Sequence, residues 1–233
     1  MTTTRTVFLY YPNLLGYMRV VLTFASIYYA NHSLNDKTGT TSLMGVEVLD
    51  WQLSVLLYVL SFGGDCIDGY LARSCGQSSQ FGGVLDMVTD RCSTAVLLMI
   101  LSRMYTEHAL LLQTLLMVDF ASHWWHMMAA ATIDGTHHKD VGENKNFLLR
   151  FYYGNKLFFG YCCIAAEFAY ILAFVIWFDP EATLGVDSLR VHDIWKYAAL
   201  PGCIFKQVIN VAQLFSACEA IALEDVEAKS KDL

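Results

Sequence analysis

Apolar residues run along this chain in long blocks, and most polar ones gather in the gaps between them. Blocks of about 20 mostly apolar residues, the length at which a helix crosses a bilayer, fall at roughly 13–31, 51–70, 83–105, 108–131, 157–178 and 194–221. The pattern predicts an all-α integral membrane protein with six transmembrane helices. Pro12 and Pro180 stand beside block ends, where helices start or stop. No internal repeat or low-complexity tract interrupts the run, so residues 1–233 read as a single membrane domain. A short N-terminal arm, about 1–11, and a tail, about 222–233, flank it.

Composition agrees: 55% of residues are hydrophobic and 16% charged, with a mean hydropathy of +0.40. The net charge of −7 argues against nucleic acid as a partner, since that would want a basic stripe. Seven cysteines, mostly inside apolar blocks and without a C-x-x-C pair, read as small packing residues rather than disulfides or metal ligands. No cleavable signal peptide is evident.

With six spans both termini lie on one side. That side would hold Arg5, Arg73, Lys139, Lys145, Arg150, Lys156, Lys229 and Lys231 against Lys37, Arg103, Arg190 and Lys196 on the other. The positive-inside rule then places the termini in the cytosol. The final KSKDL resembles a lysine signal for retrieval to the endoplasmic reticulum, with the Golgi as a second compartment. Asn31-His-Ser33 is a glycosylation sequon set close against the first block.

One stretch breaks the apolar pattern. Residues 65–90, DCIDGYLARSCGQSSQFGGVLDMVTD, hold four aspartates: Asp65, Asp68, Asp86 and Asp90. Four charged carboxylates at mid-bilayer would cost about 10–14 kcal/mol, so they must lie near the interface, face water or bind cations. Asp65 and Asp68 are i,i+3 and Asp86 and Asp90 are i,i+4, so each pair shares one helix face. The short polar break at 76–80 would make the two helices antiparallel neighbours. Their facing carboxylates would repel unless cations intervene, and hard divalent cations take carboxylate oxygens. Arg73 suits a phosphate, while Gly69, Gly82 and Gly83 leave room for a ligand or for close helix packing. The competing reading is a helical hairpin with charges turned to water. A cation transporter would need charges along a path, yet here they cluster at one end.

The stretch matches D-x2-D-G-x2-A-R-x8-G-x3-D-x3-D position by position, through Asp65, Asp68, Gly69, Ala72, Arg73, Gly82, Asp86 and Asp90. On these residues the chain resembles the CDP-alcohol phosphotransferases, whose fold has six membrane helices with the site at the cytosolic face. PNLLGYMRV at 12–20, LDMVTDRCST at 85–94, DFASHWWH at 119–126, LLRFYYGNK at 148–156 and GYCC at 160–163 are similar to the eukaryotic phosphatidylinositol synthases within that family. The resemblance implies phosphatidyl transfer from CDP-diacylglycerol to myo-inositol with release of CMP. It implies Mg2+ or Mn2+ held by Asp65, Asp68, Asp86 and Asp90, with Asp90 also the general base. Gly69, Arg73 and Ser79 would meet CDP-diacylglycerol. Membrane lipids surround the family, and a homodimer is its expected state. Serine, glycerol 3-phosphate and phosphatidylglycerol are the alternative acceptors.

Other polar residues admit two readings. His123, with His126 and Asp119 a turn away, reads either as a wall of an inositol pocket or as structural hydrogen bonding. Lys156 stands where many relatives carry Arg and is a second candidate for that pocket. Tyr152 and Tyr153 read as an interfacial anchor or as pocket residues. His137, His138, Lys139 and Asp140 read as a solvated loop. Lys206 and Glu167 lie in apolar blocks, where an ionisable group needs a partner.

Overall fold

The structure is a computed structural model that describes residues 4–132, 147–185 and 189–231. The His137–Asp140 cluster lies outside the described residues. The chain divides into two compact units, Met1–Ile100 with Phe174–Pro180, and Leu101–Ala173 with Glu181–Leu233.

The first unit contains α1 (Thr4–Phe8), α2 (Tyr11–Asn35), a hairpin of β1 (Thr40–Leu43) and β2 (Val46–Leu49), α3 (Asp50–Ser74) and most of α4 (Gln80–Met104). Pro12 lies in the first turn of α2, where its missing N–H is not needed. The hairpin pairs Thr40 with Leu49 and Leu43 with Val46, and turns at Met44 and Gly45, both at positive φ. Asp50 ties it down: its carboxylate bonds His32 Nδ1 and Thr41 Oγ1, each at 2.7 Å. At the foot of α2, the Thr38 hydroxyl and N–H both donate to Asp36, which lowers that carboxyl below its ordinary range.

Helices α2 and α3 pack with their polar sides inward. The buried face of α2 carries Asn13, Gly16, Arg19, Thr23, Ser26, Ala30 and Ser33, at steps of three and four. Ser26 and Ser54 donate to each other's backbone carbonyls at 2.9 Å, and the Thr23 and Ser61 hydroxyls are 2.9 Å apart. Small hydroxyl residues let backbones approach closely and satisfy one another where lipid offers no partner. Val21, Phe24 and Tyr28 face outward.

The second unit contains a 3-10 turn (Thr106–His108), α5 (Ala109–Thr132), α6 (Phe147–Gly154), most of α7 (Lys156–Phe178), a short pairing of β3 (Thr183–Leu184) with β4 (Leu189–Arg190), α8 (Val191–Ile194), and α9 (Leu200–Lys231). A wide turn at Trp195–Ala199 joins α8 to α9. Pro201 has no N–H to give, and the Leu200 N–H reaches back five residues to the Trp195 carbonyl. Leu149, Tyr152, Cys162 and Ile209 form one buried apolar cluster, with Phe158 and Phe205 packed against it.

Helices form at all six predicted blocks, but the expectation of six transmembrane helices is overturned. Among the described residues, three helical stretches are long and apolar enough to cross a membrane: Asp50–Ser74, Lys156–Phe178 and Val191–Ser230. α2, α4 and α5 have the length but carry too many polar side chains, such as Asn13, Arg19, Asp86, Asp90, Asp119 and His123. Of these, Asn13, Arg19 and Asp119 are buried, and Asp86 and Asp90 bond Arg19. With three such stretches, counting spans no longer puts both termini on one side. Among the described residues, two short antiparallel strand pairs, which hydropathy did not foretell, accompany the helices.

Candidate functional site

The aspartates converge in the first unit. α3 delivers Asp65 and Asp68 from its last three turns, and α4 delivers Asp86 and Asp90 from its first three. One carboxylate oxygen from each of Asp65, Asp68 and Asp86 lies within 4.8 Å of the other two. Three hard oxygen donors so close, with Asp68 buried, fit a divalent cation. Asp90 stands outside this trio, which corrects the expectation of four aspartate ligands. Its Oδ1 is taken up by Arg19, and its Oδ2 is 3.7 Å from Arg91 Nη2.

A cavity of about 210 Å³ opens beside the trio, lined by Asn13, Asp68, Gly69, Arg73, Ser79 and Asp86 among others. Gly69 keeps the cavity side of α3 bare: a Cβ there would sit 3.5 Å from Arg73 Nη1. Ser79 closes the start of α4, its Oγ accepting the Gly82 N–H at 3.0 Å. Gly82 is required for space, because a Cβ would approach Asn13 Oδ1 to 2.8 Å and Ser79 Oγ to 3.2 Å. The Gln77 side-chain carbonyl accepts the Tyr11 N–H at 2.9 Å and so ties the α3–α4 loop to the start of α2. The cavity thus combines carboxylates, a guanidinium and polar side chains around exposed backbone. That mixture suits a metal-bound, phosphate-bearing ligand.

The family whose description reads CDP-alcohol phosphatidyltransferase matches residues 9–215. This chain belongs to that family. It is 39% identical to a probable CDP-diacylglycerol–inositol 3-phosphatidyltransferase of Arabidopsis thaliana, over 98% of this chain and 96% of that one. It is 32% identical to the CDP-diacylglycerol–inositol 3-phosphatidyltransferase of Schizosaccharomyces pombe, over 96% and 93%. With the Homo sapiens protein of that name it shares 31% identity over 97% of each. No solved structure matches the chain.

Of the eight positions of the D-x2-D-G-x2-A-R-x8-G-x3-D-x3-D pattern, seven line the cavity or belong to the trio, and Asp90 does neither. The two other expected residues belong to the second unit. His123, on α5, has its Nδ1 2.8 Å from the Asp119 carbonyl and 3.7 Å from Asp119 Oδ1. Asn210 of α9 donates to Asp119 Oδ1 at 3.1 Å, so this end of α5 takes part in a buried polar network. Lys156 is exposed at the first position of α7. Tyr152 is fully buried, and the Lys206 ammonium lies 5.6 Å from its ring centroid. Tyr153 accepts a hydrogen bond from Gln213.

The sequence reading assigned no role to Arg19. It is 2% exposed and reaches all four aspartates. A signal was available, since an arginine inside an apolar block needs a carboxylate partner, and residues 65–90 offer the densest supply.

Proposed function

We propose that the protein transfers the phosphatidyl group of CDP-diacylglycerol to myo-inositol and releases CMP. The observation that carries this reading is the trio Asp65, Asp68 and Asp86 set beside a cavity lined by Gly69, Arg73 and Ser79. The choice of inositol rests on the relatives, which bear that activity in their names and match this chain over 96%, 93% and 97% of their own lengths.

Asp65, Asp68 and Asp86 would hold Mg2+ or Mn2+, which when bound neutralises pyrophosphate charge and polarises the phosphorus under attack. Arg73 binds a phosphate oxygen, and its position beside bare Gly69 brings the guanidinium to the cavity wall. Gly69 and Ser79 bound the nucleotide side. Asp90 accepts the proton of the inositol hydroxyl as its oxygen bonds to the phosphorus bearing diacylglycerol. The anhydride P–O bond breaks, and its electron pair leaves with CMP. Arg19 on Asp90 Oδ1 fixes the carboxylate's orientation, and Oδ2 takes the proton. Positioning and charge neutralisation carry most of such a transfer. His123 and Lys156 are candidates to contact inositol on their sequence context alone, as polar groups within the stretches 119–126 and 148–156.

The test is CMP release by purified full-length protein with Mn2+ or Mg2+, offering myo-inositol, serine and glycerol 3-phosphate separately. Release with inositol alone, abolished by EDTA, is expected. Release with another alcohol overturns the acceptor. Asp90→Asn should bind CDP-diacylglycerol as the parent does and lose turnover by at least about a hundredfold. Full turnover in that variant overturns the base assignment.

A further inference from the structure

Arg19 occupies the middle of the acidic cluster. Its Nη1 lies 2.5 Å from Asp68 Oδ2 and 2.7 Å from Asp86 Oδ1. Its Nη2 bonds Asp90 Oδ1 and is 3.0 Å from Asp65 Oδ1, and Nε donates to the Ser61 carbonyl at 3.2 Å. These five acceptors surround a group that has five N–H donors. The side chain is nearly sealed from water. The slot it fills is cut by Gly64, where a Cβ would sit 2.9 Å from Arg19 Cγ and 3.1 Å from Cδ. The backbone is held as well, for the Ser61 hydroxyl donates to the Arg19 carbonyl at 3.0 Å.

We propose that Arg19 is the built-in counter-cation of this site: it assembles the four aspartates across α2, α3 and α4, and competes with a divalent cation for the oxygens of Asp65, Asp68 and Asp86. This deepens the metal reading above and rests on it. Four carboxylates this close repel one another, and one guanidinium can neutralise at most one of them. The cluster therefore stays assembled yet strongly attractive to further cations. The oxygens that face Arg19 belong to the same three carboxylates that make the cation trio. Arg19 must give up part of its bonding as they turn to a metal. Its bonds to Asp90 and Ser61 involve no member of the trio and can persist. Arg19 is a positioning residue, acting on substrate through Asp90 and the trio.

The experiment uses metal-stripped full-length protein in detergent, titrated with Mn2+ while free Mn2+ is read by electron paramagnetic resonance. Thermal midpoints are recorded with and without Mn2+ for the parent, Arg19→Gln and Arg19→Lys. Arg19→Gln should bind Mn2+ about tenfold tighter, because a competing positive charge is gone. Its metal-free midpoint should drop, with most of the loss recovered on Mn2+ addition. Arg19→Lys keeps the charge without the fork, so it should show a smaller drop but still a larger Mn2+-induced rise than the parent. That variant decides the matter if Arg19→Gln does not fold. Parental Mn2+ affinity in Arg19→Gln, or equal loss of midpoint with and without Mn2+ in either variant, overturns the proposal alone. A parent that binds no Mn2+ overturns the metal reading together with it.

Discussion

Single atoms decide the shape of the cavity. Gly82 faces Asn13 and Ser79 so closely that one methyl group cannot be added without displacing one of them. Asn13 is buried at the start of α2 and held by its bond to the Val7 carbonyl, so it has little freedom to retreat. Gly82→Ala should therefore raise KM for CDP-diacylglycerol about tenfold with a smaller effect on kcat, because it disturbs binding before chemistry. An unchanged KM would show that the cavity does not take this substrate. Asp65, Asp68, Asp86, Gly69 and Arg73 were legible in the sequence because charges in an apolar chain are costly and their spacing is helical. That Arg19 needs a carboxylate was legible too, but not which ones, because its partners lie more than 40 residues away and no local spacing links them.

At the level of elements, α2 is held to α3 by its polar face. Ser26 and Ser54 meet at the seam, and their reciprocal bonds leave no volume for a larger side chain. Ser26→Leu should destabilise the protein by about 1–3 kcal/mol through overpacking. It should also lower activity, because α2 carries Arg19 to the aspartates. Val21→Leu on the outer face of α2 should leave both unchanged. Thermal midpoint and CMP release measured together in detergent check the pair of variants. Parental stability in Ser26→Leu would mean the seam is loose. Hydropathy located α2, α4 and α5 to within a few residues but misjudged their apolar character. Thr23, Ser26 and Asp119 are buried and bonded to neighbouring helices, and Asp86 and Asp90 bond Arg19.

For the whole molecule, Asp50–Ser74, Lys156–Phe178 and Val191–Ser230 provide three stretches that suit a bilayer. The protein should remain in the membrane pellet after alkaline carbonate extraction, and release into the supernatant would contradict that. What the sequence determined by itself was local: where helices run, because apolar blocks have helical length, and which carboxylates share a face, because i,i+3 and i,i+4 spacing is fixed by the helix. Its eight-position signature also carried the family. Tertiary structure alone decided that Asp65, Asp68 and Asp86 bring carboxylate oxygens within 4.8 Å of one another without Asp90, and that Arg19 reaches all four. It alone joined Asn13 to the cavity and placed polar rather than apolar residues at the α2–α3 seam. These are contacts between distant segments, set by how closely helices approach and which buried groups must find partners, and no single-segment pattern encodes them.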